Sequence, residues 1–293
     1  MKNNRRDLLI LKFLWEYKVA TSAMIIERYF PSTKPRTAYN CLMRLKRKKL
    51  ITTKVTNRGT FPVWELTKDG LKEIRNYIPS LESKVTSSEN HIHDIIVTSM
   101  HLGPFIQKAP SDLKIITEQR LRCQELTTLP EEIPSPKEHR PDGYWLFNKG
   151  NQHNIFALEV ELNQKAKRWY EDLAYFYGDF KKNDRCIWVV RKASTAKTIL
   201  RCLYKTRPEY YIHNFVLLKD IIKKGWTAEF FLGPNQDETI LEVFKQNTQY
   251  ISNTLPVNVF QKYLIDNRLS YEIHSTLTDS EIKSRINSME IFS

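Results

Sequence analysis

The sequence predicts an α/β chain, α+β overall: a small basic unit of helices and a hairpin, followed by a larger α/β domain with a mixed sheet. Three observations predict it. Apolar residues recur at helical spacing through the first fifty positions, then give way to two short extended runs around Asn57-Arg58-Gly59. Beyond residue 90, alternating and continuous apolar runs are interleaved with helical periods, the pattern of a sheet with helices on its faces. Charge is also unevenly placed: the 293 residues carry 46 Lys and Arg against 33 Asp and Glu, a net +13. Residues 1–78 hold 10 Lys and 8 Arg against 6 acids, a net +12, which leaves +1 for the rest. The expected divisions are 1–78, a polar linker at 79–90, a second domain at 91–234 and a helical C-terminal extension at 235–293.

Hydrophobic residues at 41% and aromatics at 12% exclude a disordered or fibrous chain, and 8 Gly with 13 Pro exclude collagen-like classes. No apolar run is long enough to cross a membrane, and Lys12, Glu16 and Lys18 interrupt what would otherwise read as a signal peptide. Cys41, Cys123, Cys186 and Cys202 are far apart, which suits neither a disulfide framework nor a zinc finger; a reducing cytoplasm is expected. A pI near 9.4 favours polyanionic partners, nucleic acid first. Walker A, GxGxxG and GxSxG loops are missing from the sequence, so nucleotide hydrolysis, dinucleotide redox chemistry and α/β-hydrolase chemistry have no support.

Leu8, Leu11 and Trp15 follow helical spacing behind Asp7, a candidate N-cap, and predict a first helix to Tyr17. Thr21 or Ser22 caps a second, which stops at Pro31. In a third, Ala38, Leu42 and Leu45 form a buried stripe and leave Arg36, Tyr39, Asn40, Met43, Arg44 and Arg47 facing out. Ile51–Val55 and Phe61–Leu66 then pair as a hairpin, and Leu66-Thr67-Lys68-Asp69-Gly70 leads into another helix. This order resembles a bacterial winged helix-turn-helix DNA-binding domain. The resemblance implies that Thr37, Tyr39, Asn40 and Arg44 read base edges in double-stranded DNA, while Arg36, Arg47, Lys48 and Arg58 hold phosphates.

In the second domain, HIHDIIVTSMHL predicts a helix and Leu113–Leu121 a strand. A proline-rich loop delivers Arg140-Pro141-Asp142-Gly143 to a strand at Tyr144–Phe147. In the following strand, Ile155–Leu162, Ala157, Glu159 and Glu161 share one face. Antiparallel pairing brings Asp142 towards Glu159, so three acids converge. Such a cluster calls for a cation, and Mg2+ or Mn2+ is the economical one. A helix at Asn163–Tyr177 bearing Lys165, a strand at Cys186–Val190, a helix at Thr195–Tyr204 and a strand at Phe215–Leu218 complete the order α-β-β-β-α-β-α-β.

The run RPDG…LEVELNQK on these elements resembles the PD-(D/E)xK restriction-endonuclease-like core. Joined to a basic winged helix, it is similar to the replication-relaxation family, which includes the MobC-type relaxases of mobilisable plasmids. The resemblance implies a DNA-binding relaxase or replication initiator of a mobile element that nicks or cleaves DNA with Mg2+ or Mn2+. Asp142 and Glu159 would be catalytic metal ligands, with the Val160 carbonyl a further donor, Glu161 would be an additional catalytic metal ligand or a water-positioning base, and Lys165 would steady the oxyanion. Glu161 stands where the nuclease motif has Lys; Lys165 would then supply the relocated charge and Glu89 a further acid. The alternatives are a non-catalytic winged-helix regulator or initiator with a degenerate nuclease-like domain, and a nuclease subunit of a transposition or defence system.

His91-Ile92-His93 matches the metal triplet of another relaxase class, but that class needs a strand and the period here is helical. His93 and Asp94 are instead expected near the acids. The aromatics of Trp169–Tyr177 suit either core packing or stacking on single-stranded DNA near a nick. Protein partners from a mobilisation or replication complex are expected, and membrane insertion is not.

Overall fold

The computed structural model describes residues 5–55, 62–75, 88, 90–102, 114–123, 130, 133–149, 152–180, 184–207 and 212–246. The N-terminal unit contains α1 (Arg5–Tyr17), β1 (Val19–Ala20), α2 (Ser22–Tyr29), α3 (Pro35–Arg47), β2 (Ile51–Val55), β3 (Pro62–Leu66) and α4 (Lys68–Arg75). Its three strands lie in the order β1-β3-β2, all antiparallel. This is a winged-helix-like arrangement. Thr21 caps α2 by accepting from Met24 N at 3.3 Å. At the other end of α3, Lys49 takes a left-handed φ of 60°, so Leu50 N reaches Leu45 O and Lys49 N reaches Lys46 O. That 6→1 and 5→2 pair stops the helix and turns the chain into β2. The hairpin turn, with Arg58, lies outside the described residues.

The second unit contains α5 (His91–His101), β4 (Lys114–Thr117), α6 (Glu118–Cys123), β5 (Gly143–Lys149), β6 (Gln152–Glu161), α7 (Lys167–Phe176), β7 (Arg185–Val190), α8 (Ala193–Thr206), β8 (His213–Leu217), α9 (Leu218–Lys224) and α10 (Ile240–Gln246). Its sheet runs β4-β5-β6-β7-β8, antiparallel up to β6 and parallel from β6 to β8. The apolar run of β7 is explained by its place between β6 and β8, covered on both faces. One face packs on α7 and α8 through Tyr170, Leu173, Ala196 and Ile199. The opposite face, with Trp145, Phe156, Leu158 and Val160, shares one continuous core with α5, α9, α10 and the N-terminal unit. Among the described residues no helix is long and apolar enough to cross a membrane.

Several expectations need correction. Asp7 lies inside α1, 2% exposed, where Arg44 of α3 donates to its carboxylate; it is not an N-cap. Arg44 is therefore half-buried rather than fully outward. The strand expected over Leu113–Leu121 ends at Thr117, whose Oγ1 accepts from Arg120 N at 3.4 Å and starts α6. The helix expected from Asn163 begins only at Lys167, so Lys165 sits in the preceding loop, with its backbone N–H donating to Tyr170 OH at 2.8 Å. Most of the linker expected at 79–90, and residues 247–293 of the extension, lie outside the described residues.

The Asp7–Arg44 pair makes a prediction. Arg44→Ala leaves a buried carboxylate short of its strongest donor and should lower unfolding free energy by about 1–3 kcal/mol in urea denaturation, with no DNA present.

Candidate functional site

β5 and β6 bring the expected acids together at one end of their pairing. Gly143 is opposite Leu158, and Asp142 N donates to Leu158 O at 2.9 Å, which sets Asp142 beside Glu159 and Val160. Gly143 is required there: a Cβ would come within 2.5 Å of the His101 ring, which packs on the strand and donates from Nε2 to the Asp142 carbonyl at 3.2 Å. Burial dominates at His101 and pulls its pKa down to about 4, so its ring is neutral at pH 7.

The acids have separate partners. Asp142 Oδ2 accepts from Val160 N at 2.7 Å, while Oδ1 lies 3.4 Å from His93 Nε2. Glu159 is buried on the α7 side of the sheet, where its Oε1 accepts from His139 Nε2 at 2.6 Å and from the Tyr177 hydroxyl. Glu161 Oε2 is 3.3 Å from Lys165 Nζ, which also stacks on the Trp169 ring at 3.7 Å. Burial raises the pKa of Glu161, and Glu159 and Asp142 add repulsion, against the pull of Lys165. The three carboxylates thus share one field.

The first turn of α5 supplies the opposing charge. His93 Nε2 donates to Val160 O at 3.1 Å, and its Nδ1 lies 3.1 Å from Asp94 Oδ1. Burial works against the charged ring, but Asp142 and Asp94 outweigh it and raise its pKa to about 11. Burial likewise opposes the Asp142 charge, and His93 outweighs it to hold that carboxyl below its usual range. Asp94 also faces Lys18 Nζ at 3.8 Å, and Lys18 bonds Glu118 at 2.5 Å. His91 pairs with Glu65 of β3 at 2.7 Å.

Mg2+ and Mn2+, implied by the nuclease-like resemblance, take several hard oxygen ligands in a near-octahedral shell. Asp142 Oδ1 and Val160 O both face one imidazole nitrogen, and the other acids are held by Tyr177, His139 and Lys165. Among the described residues no three His, Cys, Asp or Glu side chains are grouped to hold a metal ion. The donor set as folded does not fit a divalent cation. Glu89 lies outside the described residues.

Sequence reasoning missed His139 and Lys18. His139 had only its place in the proline-rich loop beside Arg140 as a signal, and Lys18 looked like a charge breaking an apolar run. The aromatics of α7 and the Tyr177 that follows it mainly pack: Tyr170, Phe176 and Tyr177 are buried, while Tyr175 is exposed.

At the other expected site, Ala38, Leu42 and Leu45 of α3 are buried while Arg36, Thr37, Tyr39, Asn40 and Arg47 are exposed, Tyr39 at 55%. Lys48 is half-buried at the helix end.

A winged-helix-like unit packed on a mixed five-stranded sheet defines the class of this protein. The chain belongs to the replication-relaxation family, whose model matches residues 11–176. No curated protein matches it. Among solved structures, it is similar to a mutant of Lactococcus lactis ZitR in complex with DNA, at 21% identity and a TM-score of 0.24, over 35% of this chain and 61% of that one. A second ZitR mutant gives 18% identity and a TM-score of 0.23, over 38% of this chain and 65% of that one. The chain spans less than two thirds of either, and likeness at this level carries no argument.

The histidines set a pH profile. His101 and His213 are held neutral by burial, with pKa values lowered from 6.5 to about 4 and about 3, so unfolding takes up their protons as the pH falls below 6.5. His93 is raised from 6.5 to about 11, so its contribution is full below 6.5 and is lost as the pH rises towards 11. Stability should peak near pH 6.5, with two-proton dependence on the acid side from these groups and one-proton dependence on the alkaline side. Urea midpoints from pH 4 to pH 10 measure this.

Proposed function

We propose that this chain is a DNA-binding protein acting in the replication or mobilisation of a mobile element, with α3 reading a duplex site and the second domain serving assembly rather than cleavage. The outward face of α3 carries the reading. Three apolar side chains seat the helix, and five polar, basic or aromatic ones are left in solvent on an N-terminal unit of net charge +12. Thr37, Tyr39 and Asn40 are placed for base edges, Arg36, Arg47 and Lys48 for phosphates, and Arg44 acts through Asp7 to seat the helix. Family membership supports a role in replication.

A second reading is metal-dependent nicking by a PD-(D/E)xK-like domain, with single-stranded DNA near the nick and protein partners as further ligands. The strand order, the crossover α7 between parallel β6 and β7, and the meeting of Asp142 with Glu159 favour it. The partners already held by Asp142, Glu159 and Glu161 count against it, so the binding reading stands first.

Two measurements test these readings. In fluorescence anisotropy with duplex from the element's own origin, Arg36→Ala with Arg47→Ala should reduce the salt slope by roughly two units, one per phosphate contact. An unchanged slope moves DNA binding away from α3. Incubated with supercoiled origin DNA and Mn2+, wild type, Asp142→Ala and Glu159→Ala should all leave the DNA uncut. Nicking by wild type that both substitutions abolish would replace the first reading with the second.

A further inference from the structure

We propose that the acid site at the head of β5 and β6 holds the side chain of His93 in the place a divalent metal would take, and that this side chain ties α5, whose His91 and Asp94 pair with the N-terminal unit, to the large sheet. Both ring nitrogens face acceptors: the Asp94 carboxylate at Nδ1, and the Val160 carbonyl with the Asp142 carboxylate at Nε2. The Val160 carbonyl can only accept, so Nε2 carries a proton aimed at the oxygens of Val160 and Asp142, while Nδ1 is turned to Asp94. It stands 3.1 Å from Val160 O and 3.4 Å from Asp142 Oδ1, two oxygens a metal at this site would use. A metal reaches both together by displacing the ring.

The same turn of α5 is one of the places where the two halves of the molecule meet. His91 bonds Glu65 in the N-terminal sheet, Asp94 faces Lys18 between α1 and β1, and His93 bonds Val160 of β6 and lies beside Asp142, which leads into β5. Lys18 reaches this position from a left-handed backbone, φ 63°, a conformation that costs a non-glycine residue free energy and persists where its surroundings hold it. Removing His93 therefore leaves Asp142 without the donor beside its Oδ1 and Asp94 with Lys18, and loosens the join. The inference is independent of DNA binding by α3, since neither readout below involves DNA.

The test uses the full chain: Mn2+ binding read by electron paramagnetic resonance, and melting read by calorimetry, for wild type, Asp142→Asn, His93→Ala and the double variant. Wild type should show no saturable Mn2+ binding. His93→Ala should melt roughly 5–10 °C lower, as expected for a partly buried charge left unpaired in a chain of this size. Mn2+ should restore part of that loss by binding Asp142, and should restore nothing in the double variant. Saturable Mn2+ binding by wild type that Asp142→Asn abolishes would overturn the proposal, as would a His93→Ala protein that melts with wild type. If His93→Ala does not fold, the Mn2+ titration of wild type against Asp142→Asn decides the matter.

Discussion

The N-terminal unit and the large sheet meet along a seam of alternating charge that runs Arg122, Glu118, Lys18, Asp94, His93, Asp142. From Glu118 to Asp142 each member is tolerable in its partly buried place because the next is there; an ion left unpaired at such depth costs several kcal/mol. The seam does not hold the halves together by attraction alone. It lies beside an apolar core that continues from Ile10, Leu11 and Leu14 of α1 through Ile95 and Ile96 of α5 to Phe156 and Leu158 of β6. Burial supplies most of the free energy, and the charges fix which surfaces meet.

α1 connects the two candidate regions. Near its start Asp7 holds Arg44 of α3, and at its end Glu16 bonds Arg120 at 2.6 Å while Lys18 enters the seam. Asp7 and Tyr17 are about 15 Å apart along the helix axis at the α-helical rise. The helix that presents Tyr39 and Asn40 is thus fixed to the same rod that ends at the acid site. A rigid link of this kind gives the outward face of α3 a defined orientation relative to the second domain.

Much of the fold was legible because it follows local periodicity. The buried stripe of α3, the capping of α2 by Thr21 and the alternation that puts Glu159 and Glu161 on one face of β6 all follow from neighbours within a few residues. Errors came where a side chain was claimed from far along the chain or where helix and loop signals competed. Asp7 had the look of a cap until Arg44, 37 residues later, took its carboxylate. Lys165 fell in a helical pattern, but the hydroxyl of Tyr170 bonds its backbone N–H in a loop.

The sequence by itself determined the charge division, the basic helix with its outward polar face, and the order of strands that brings Asp142 towards Glu159, because these depend on spacing along the chain. Only the tertiary structure decided what the acids do once they meet. His93 reaches Val160 across 67 residues, and Tyr177 and His139 reach Glu159 from opposite sides in sequence, 18 and 20 residues away. Sheet pairing and helix docking choose those partners, and partners set the charge and the available lone pairs of a carboxylate. Three acids that spacing presents as a metal site are, in the folded chain, three acids already paired.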